Sequence, residues 1–198
     1  MSRFVESIKL HNGVFYRLKF HQKRVNKAFE TFYPDEEPIK LLDIFNQTLI
    51  PQEGLFKCRI VYDSETSQLE FMPYTRREIN SLKVVEMNLE SKPYKPEDRT
   101  AYNEAFALRG DCDDVIISRN GILTDSSYTN LAFFDGTNWF TPWKPLIYGV
   151  NRAELLENGK LIEKDIKVED LKDFQQITLF NAMIEFGEIV LDISIISL

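Results

Sequence analysis

Two Asn-Gly pairs constrain this chain more than any other local feature, because this dipeptide favours the tight turn of a β-hairpin. The first pair, at residues 12–13, stands between the stretches FVESIKL and VFYRLK. The second pair, at residues 120–121, joins two short apolar runs at 114–118 and 122–124. The sequence therefore predicts a β-hairpin in each half of the chain.

Helical spacing of apolar residues between these sheets predicts a first helix over residues 21–32. The other predicted helices are 37–48, 99–108 (with Asp98 as its cap), 151–157 and 169–173. The other predicted strands are 4–10, 14–19, 54–63, 68–74, 81–88, 129–134, 161–167, 176–181 and 188–196. This mixture predicts an α+β fold with two lobes.

One stretch has the composition of a connection between lobes. Residues 89–97 contain two prolines and several Ser and Lys residues, and they precede a predicted helix. We therefore expect a small N-terminal lobe over residues 1–88 and a larger C-terminal lobe, with mostly antiparallel or mixed strands, over residues 98–198.

Charge and composition exclude several classes of function. The formal net charge of −7 argues against a nucleic-acid partner, which requires a basic face. Only Cys58 and Cys112 are present, too few and too isolated for a disulfide framework or a zinc site, so no metal is expected. The opening MSRFVESIKL lacks the apolar core of a signal peptide, and no apolar run reaches membrane-spanning length. We expect a soluble cytoplasmic protein without a membrane partner.

The stretch KPYKPEDR contains a candidate nucleophile. A lysine becomes a nucleophile or base when burial or a cationic neighbour lowers its pKa. Prolines on both sides of Tyr94-Lys95 restrict the backbone and can aim the Lys95 amine. A solvated basic loop explains the same residues.

Four further features each allow a functional and a structural interpretation. Arg24 can bind an anion, or it can belong to the solvated face of an amphipathic helix. Arg59 can anchor a carboxylate, or face solvent from its strand. Asp125 can pair with a protonated ring nitrogen or cap a turn. Gly149–Arg152 can form an anion site at a helix N-terminus, or an ordinary loop-to-helix junction.

The order and spacing of these segments resemble the class IV aminotransferase family, the fold-type IV enzymes that depend on pyridoxal 5′-phosphate. The family's opening pattern, E-x-I-R/K, then D/N-G, then H-x-x-R, stands here at 6–9, 12–13 and 21–24. Later segments that match in order are Phe56–Asp63, Lys95–Arg99, Gly121–Asp125 with Asn130, Thr141-Pro142, Gly149–Arg152 and Asn181–Met183.

The resemblance implies a role for each candidate. Lys95, rather than Lys92, is the catalytic lysine that forms the Schiff base with pyridoxal phosphate. Asp125 keeps the pyridine nitrogen protonated, and Arg59 binds a substrate carboxylate. The resemblance also implies a homodimer. The cofactor-binding residues implied by the resemblance are Arg24, Lys95, Asp125, Val150, Asn151, Asn181 and Ala182.

Three departures from the family pattern accompany the match. The segment that normally precedes the first strand is missing, which implies a trimmed small lobe. Asp125 stands in place of the usual glutamate, and Asn151 in place of the threonine of the phosphate loop. The threonine that lyases of the family carry near the first strand is not found at the aligned residues 5–7, which counts against a lyase; Ser7 offers a substitute hydroxyl there.

The resemblance leaves the reaction open between three possibilities. The Lys95–Arg99 spacing and the Asn181–Met183 stretch favour a 4-amino-4-deoxychorismate lyase, which releases pyruvate and 4-aminobenzoate for folate synthesis. An aminotransferase, which passes an amino group to a 2-oxo acid, is the alternative. A non-catalytic relative that binds the cofactor is the third possibility, motivated by the trimmed small lobe.

Overall fold

The computed structural model describes residues 2–198 and confirms the first Asn-Gly turn. Strand β1 (Phe4–His11) returns as β2 (Val14–Phe15), and the two residues between them, Asn12 and Gly13, have φ angles of 49° and 77°. Positive φ at both central positions matches the twist of the flanking strands, and glycine adopts it without steric cost.

The chain divides into two compact units. Unit 1 comprises residues up to Thr75 together with Pro93–Asp98, and unit 2 comprises Arg76–Lys92 and Arg99–Leu198. The predicted lobe boundary near residue 88 differs from this division. Residues 76–92 belong to unit 2 because they contain a strand that pairs in parallel with a later strand of that unit.

Unit 1 is a four-stranded antiparallel sheet with two helices. After β2 come α1 (Leu18–Phe32), α2 (Leu41–Asn46), β3 (Leu55–Tyr62) and β4 (Ser67–Pro73), and the strand order is β2-β1-β3-β4. The prediction of a strand over 14–19 is wrong beyond Phe15. Arg17 adopts a left-handed conformation with φ of 57°, which turns the chain out of β2 and into α1.

The core of unit 1 lies between α1, α2 and one face of the sheet. Its buried residues from the helices are Val25, Ala28, Phe29, Leu41 and Phe45, and those from the strands are Phe4, Ile8, Cys58, Ile60 and Tyr62. Since alternate residues of β1 point to this face, Glu6 also faces the core, whereas Ser7 points to the opposite face.

Unit 2 contains the second Asn-Gly hairpin and two sheets. Its helices are α3 (Thr100–Ala107) and α4 (Val150–Glu157), with short 3-10 helices at Val168–Asp173 and Ile193–Ile195. Its strands are β5 (Leu82–Glu86), β6 (Asp114–Arg119), β7 (Ile122–Ser126), β8 (Asn130–Phe134), β9 (Trp139–Pro142), β10 (Ile162–Lys164), β11 (Gln176–Phe180), β12 (Val190–Asp192) and β13 (Ile196–Ser197). The strand orders are β10-β9-β8-β11-β12 and β13-β5-β6-β7.

Parallel and antiparallel pairs occur together in unit 2, as the sequence predicts for the larger lobe. The pairs β5/β6, β5/β13 and β9/β10 are parallel, and the remaining pairs are antiparallel. Two local predictions are wrong. Asp98 does not cap α3, whose N-cap position is Arg99, and the strand predicted over 188–196 is interrupted at Asp192, which caps a 3-10 turn. Across residues 2–198, no helix is long and apolar enough to cross a membrane.

Candidate active site

The segment that carries Lys95 is fixed to unit 1 as a short extension of its sheet. The Val5 amide donates to the Lys95 carbonyl at 2.9 Å, and the Glu97 amide donates to the Arg3 carbonyl at 2.9 Å. The short strand β2 pairs only with the end of β1, which would leave the backbone groups at the start of β1 unpaired along the same edge. The Lys95 segment supplies hydrogen-bond partners for them. The backbone that carries Lys95 is therefore held by main-chain hydrogen bonds on both sides of Pro96, and Lys95 is only partly exposed.

The Lys95 amine contacts a hydroxyl of the same sheet. Lys95 Nζ donates to Ser7 Oγ at 3.2 Å, and Ser7 stands directly opposite Arg59 in the antiparallel register of β1 and β3. Directly opposite residues place their side chains on the same face of a sheet. Unit 1 thus brings together the candidate catalytic lysine, the candidate carboxylate anchor and the one hydroxyl that the sequence comparison with lyases singled out.

Lys92 belongs to different surroundings. Its amide donates to the Leu146 carbonyl at 2.8 Å, and its carbonyl accepts from the Tyr148 amide at 3.3 Å, so it is tied to a loop of unit 2. The two lysines that compete for the catalytic role in the sequence therefore fall in different units of the structure.

Arg24 lies on the buried face of α1 and pairs with Glu6. Arg24 Nε donates to Glu6 Oε1 at 2.8 Å and Arg24 Nη2 donates to Oε2 at 2.6 Å, in the bidentate geometry that suits arginine and carboxylate. His21 Nδ1 lies 2.5 Å from the same Oε2. The interpretation of this helix face as solvated is wrong, because His21, Arg24 and Glu6 are all buried.

The charges of this buried cluster are balanced. Burial alone would raise the pKa of Glu6, but the Arg24 charge and the His21 hydrogen bond more than offset it and lower the pKa to about 2. Burial lowers the pKa of His21 despite its contact with Glu6, so that His21 is neutral, and the pKa of Arg24 is raised by Glu6 in spite of burial. Arg24 Nη1 has no protein hydrogen-bond partner among residues 2–198 and is the one nitrogen of this guanidinium left for another ligand.

In unit 2, Asp125 is a buried carboxylate with neutral partners. It lies on β7, where Oδ1 accepts from Asn130 Nδ2 at 2.8 Å and Oδ2 accepts from the Ile147 amide at 2.9 Å. Burial raises the pKa of Asp125 to about 6, and these hydrogen bonds together with the charge of Arg152 offset only part of that effect. A cation placed against Asp125 would lower its pKa and stabilise the ionised form.

The start of α4 is packed against the same asparagine. A Cβ atom on Gly149 would lie only 1.9 Å from Asn130 Oδ1, so the close approach of these residues requires glycine. Asn130 Nδ2 also donates to the Ile147 carbonyl at 2.9 Å. Asn130 therefore links Asp125 to the first turn of α4, where Val150 and Asn151 are buried.

The Asn151 side chain supports this turn rather than facing an anion. Its Nδ2 donates to the Asn181 carbonyl at 2.9 Å and to the Ile184 carbonyl at 3.1 Å. The Asn181 side chain closes the neighbouring turn at residues 181–184, because its Oδ1 accepts from the Met183 and Ile184 amides, and Ala182 lies within that turn. The predicted residues Val150, Asn151, Asn181 and Ala182 thus belong to one connected structure.

These residues of unit 2 fit pyridoxal phosphate. The first amides of a helix have no partner within it and favour an anion, and α4 offers them at Val150 and Asn151. Asp125, a buried carboxylate whose pKa stays raised despite the charge of Arg152, fits a protonated ring nitrogen. The sequence did not identify Glu6, Glu97 and Ile147 as site residues. Glu6 stood in the opening motif, whereas nothing local indicated the other two.

Comparison with known proteins places the chain among relatives of similar length. A protein of Haemophilus influenzae, of uncharacterized function, is 34% identical over 181 residues, covering 90% of this chain and 96% of the relative. A solved structure from Haemophilus somnus 129PT, provisionally named a 4-amino-4-deoxychorismate lyase, is also 34% identical, with a TM-score of 0.86 and coverage of 93% of this chain and 98% of that one. A Mycobacterium tuberculosis structure, described as a hypothetical aminotransferase in its pyridoxal-phosphate-bound form, shares the fold at 17% identity, with a TM-score of 0.75 and coverage of 93% and 79%.

The model of the class IV amino-transferase family matches residues 3–190. This match confirms the family resemblance found in the sequence motifs, the α+β fold of type IV, and pyridoxal phosphate as the cofactor. The chain belongs to the class IV aminotransferase family and is a pyridoxal-phosphate-dependent enzyme.

Proposed function

We propose that this enzyme is a 4-amino-4-deoxychorismate lyase, which splits its substrate into pyruvate and 4-aminobenzoate. The observation that carries the proposal is the 3.2 Å contact between Lys95 Nζ and Ser7 Oγ. Ser7 supplies, beside the candidate catalytic lysine, the hydroxyl that lyases of the family carry as threonine near the first strand. The provisional name of the Haemophilus somnus relative, at 34% identity, supports the same reaction.

The chemistry of this cleavage explains why a hydroxyl beside the amine is useful. The substrate and the two products have the same total composition, so the reaction needs no water, oxidant or second substrate. One proton leaves the substrate ring carbon, the bond from the ring to the pyruvyl oxygen breaks, and pyruvate gains a proton at its methylene carbon. The Lys95 amine and the Ser7 hydroxyl form a pair through which one proton can be removed and delivered.

The cofactor, when bound, supplies an electron sink for the developing carbanion. We assign Lys95 to its covalent attachment, Asp125 to its ring nitrogen, and the amides of Val150 and Asn151 to its phosphate. Asn181 and Ala182 complete the phosphate site through the turn that they form. The family resemblance assigns Arg24 to the cofactor phosphate as well; Glu6 holds its Nε and Nη2, which leaves Nη1 for a ligand.

Arg59 is assigned to a substrate carboxylate. Its position opposite Ser7 supports this role. A carboxylate bound to Arg59 would lie on the same sheet face as the Ser7 hydroxyl, which accepts a hydrogen bond from the Lys95 amine. Arginine binds carboxylates through two parallel N–H donors, which orients the ligand as well as attracting it.

An aminotransferase is the second candidate, because the family is named for that reaction and Lys95, Asp125 and Arg59 suit it equally. Two incubations separate them. The cofactor-loaded enzyme with aminodeoxychorismate should release 4-aminobenzoate and pyruvate in equal amounts, and a panel of amino donors with 2-oxoglutarate should give no glutamate. The reverse result favours the aminotransferase.

Variants at Ser7 sharpen this comparison. Ser7→Ala should lower the lyase rate by about 10²-fold, the scale of one lost proton-transfer group, and Ser7→Thr should retain most of it. Equal rates in Ser7→Ala and the unmodified enzyme would remove the observation on which the lyase assignment depends.

A further inference from the structure

We propose that Glu97 occupies the carboxylate-binding arginine of this enzyme until a substrate carboxylate replaces it, which makes Glu97 a specificity-determining residue. The inference rests on the role assigned above to Arg59. No family motif points to Glu97, and the inference depends on its contacts within unit 1.

The Glu97 carboxylate lies where a ligand carboxylate would lie. Its Oε1 is 3.1 Å from Arg59 Nη2, and its Oε2 is 3.5 Å from Arg3 Nη1. Each oxygen thus faces a different guanidinium, in the manner of a bound anion. The Arg59 and Glu97 side chains are 35% and 31% exposed, so a ligand from solution can reach the pair.

The backbone aims Glu97 at Arg59. The segment 95–97 is extended along the first residues of β1, and side chains two positions apart in an extended chain point to the same side. Lys95 reaches Ser7 and Glu97 reaches Arg59, while Ser7 and Arg59 face each other in the strand register. The same segment therefore carries the candidate catalytic amine and the anion that holds the candidate substrate anchor.

The charge of this sheet face favours an incoming carboxylate. Two residues further along, Lys9 of β1 stands directly opposite Lys57 of β3. Because side chains alternate along a strand, both lysines lie on the same face as Ser7 and Arg59. Like charges directly opposite are unfavourable. Glu97 and Glu70, which stands opposite Arg59 on β4, balance these cations only in part, so the face is locally cationic although the whole protein has a net charge of −7.

Replacement of Glu97 by a ligand carboxylate follows from these contacts. A partly exposed ion pair is weak, so a ligand that makes the same contact in better geometry can displace it. A molecule without a carboxylate gains nothing at Arg59 and leaves Glu97 in place. Glu97 therefore lowers the affinity of every carboxylate by a small factor and excludes neutral amines from the anchor.

The test measures binding of succinate, an unreactive carboxylate, to the cofactor-loaded enzyme by calorimetry and NMR titration. Glu97→Gln and Glu97→Ala should bind succinate about threefold more tightly, the fold-change expected for removal of one exposed ion pair. Glu97→Gln combined with Arg59→Gln should lose the gain. The matched control is Glu70→Gln, which removes the same charge opposite Arg59 on β4, where Glu70 forms no ion pair with Arg59 in residues 2–198.

Each outcome decides the inference. Tighter binding in both Glu97 variants, dependent on Arg59 and absent in Glu70→Gln, supports it. Unchanged or weaker binding in the Glu97 variants, an equal gain in Glu70→Gln, or no saturable binding in any variant overturns it. Failure of the proposed reaction is separate, since it appears as an absence of 4-aminobenzoate in the unmodified enzyme whatever its affinity for succinate.

Discussion

Glu6 and Arg24 form a bidentate ion pair that is buried in unit 1, with N–O distances of 2.8 and 2.6 Å. Removal of one member of a buried pair leaves the other charge without compensation. We expect Glu6→Gln to lower the free energy of unfolding by about 3 kcal/mol. Urea denaturation measures this loss. Lys27→Gln, which breaks the exposed Lys27–Glu30 pair on the outer face of α1, should cost less than about 0.5 kcal/mol, and equal losses in the two variants would contradict the prediction.

The Glu6–Arg24 pair also predicts that stability falls at acidic pH. Because the folded-state pKa of Glu6 is about 2, below the ordinary value of 4.5, the stability that its charge contributes is fully present above pH 4.5 and is lost as pH falls toward 2. The shift corresponds to about 3 kcal/mol. The stability difference between the unmodified protein and Glu6→Gln should therefore shrink between pH 4.5 and 2, as followed by denaturation at each pH. A difference that stays constant over this window would show that charge plays no part in it.

The sequence predicted elements whose cause is local. The turn at Asn12-Gly13 and the buried side of α1 follow from residues a few positions apart, and both occur as predicted. The strand predicted to continue to residue 19 failed because a single backbone angle at Arg17 ends it, and no side-chain pattern indicates that angle. Local pattern therefore predicts the existence of elements better than their ends.

The geometry around the candidate site residues depended on contacts that no local pattern contains. Glu6 reaches Arg24 across 18 positions of sequence, and Lys95 reaches Ser7 across 88. The motifs could suggest Arg24 and Lys95 as site residues only through resemblance to a family. They could not indicate that the partners of these residues lie on opposite faces of β1, since that follows from pairing in the folded sheet.

The raised pKa of Asp125 in unit 2 predicts a pH dependence of stability opposite to that of Glu6. The folded-state pKa of Asp125, about 6, lies above the ordinary value of 3.8, so the stability that the protonated carboxyl contributes is fully present below pH 3.8 and is lost as pH rises through 6. The shift corresponds to about 3 kcal/mol of stability that the unmodified protein lacks once Asp125 is ionised. Asp125→Asn avoids this cost but gives up one hydrogen bond with Asn130, which costs about 1 kcal/mol. Cofactor-free Asp125→Asn should therefore be about 2 kcal/mol more stable than the unmodified protein at pH 7 and no more stable at pH 4.

Addition of pyridoxal phosphate provides the control for this experiment. If Asp125 holds the ring nitrogen as proposed, the positive ring offsets the cost of the buried carboxylate in the unmodified protein alone. The advantage of Asp125→Asn at pH 7 should then disappear in thermal denaturation with excess cofactor. An advantage that persists with bound cofactor would contradict the assignment of Asp125.

The close approach of Gly149 to Asn130 predicts that substitutions at these two positions affect stability non-additively. The φ angle of Gly149 is −68°, which alanine adopts without strain, so the cost of Gly149→Ala is the contact of its Cβ with Asn130 Oδ1. We expect a loss of about 2 kcal/mol in the native background and almost none in Asn130→Ala, measured as a double-mutant cycle. Gly110→Ala is the matched control: its φ of 61° imposes about 1 kcal/mol of backbone strain, with no atom within 4 Å of the new Cβ. That cost should be the same in both backgrounds.

Lys95 and Lys92 give the most direct test of the catalytic assignment. Borohydride reduction fixes the cofactor to the lysine that binds it, and peptide mass spectrometry locates the modified residue. We expect the modification on Lys95, its complete loss in Lys95→Ala, and full retention in Lys92→Ala, because Lys92 is held through its backbone to the loop at Leu146 and Tyr148. Circular dichroism should show that Lys95→Ala stays folded, since the Val5–Lys95 and Arg3–Glu97 backbone hydrogen bonds do not depend on the side chain. Modification of Lys92, or a folded Lys95→Ala that still acquires the reduced cofactor, would refute the assignment.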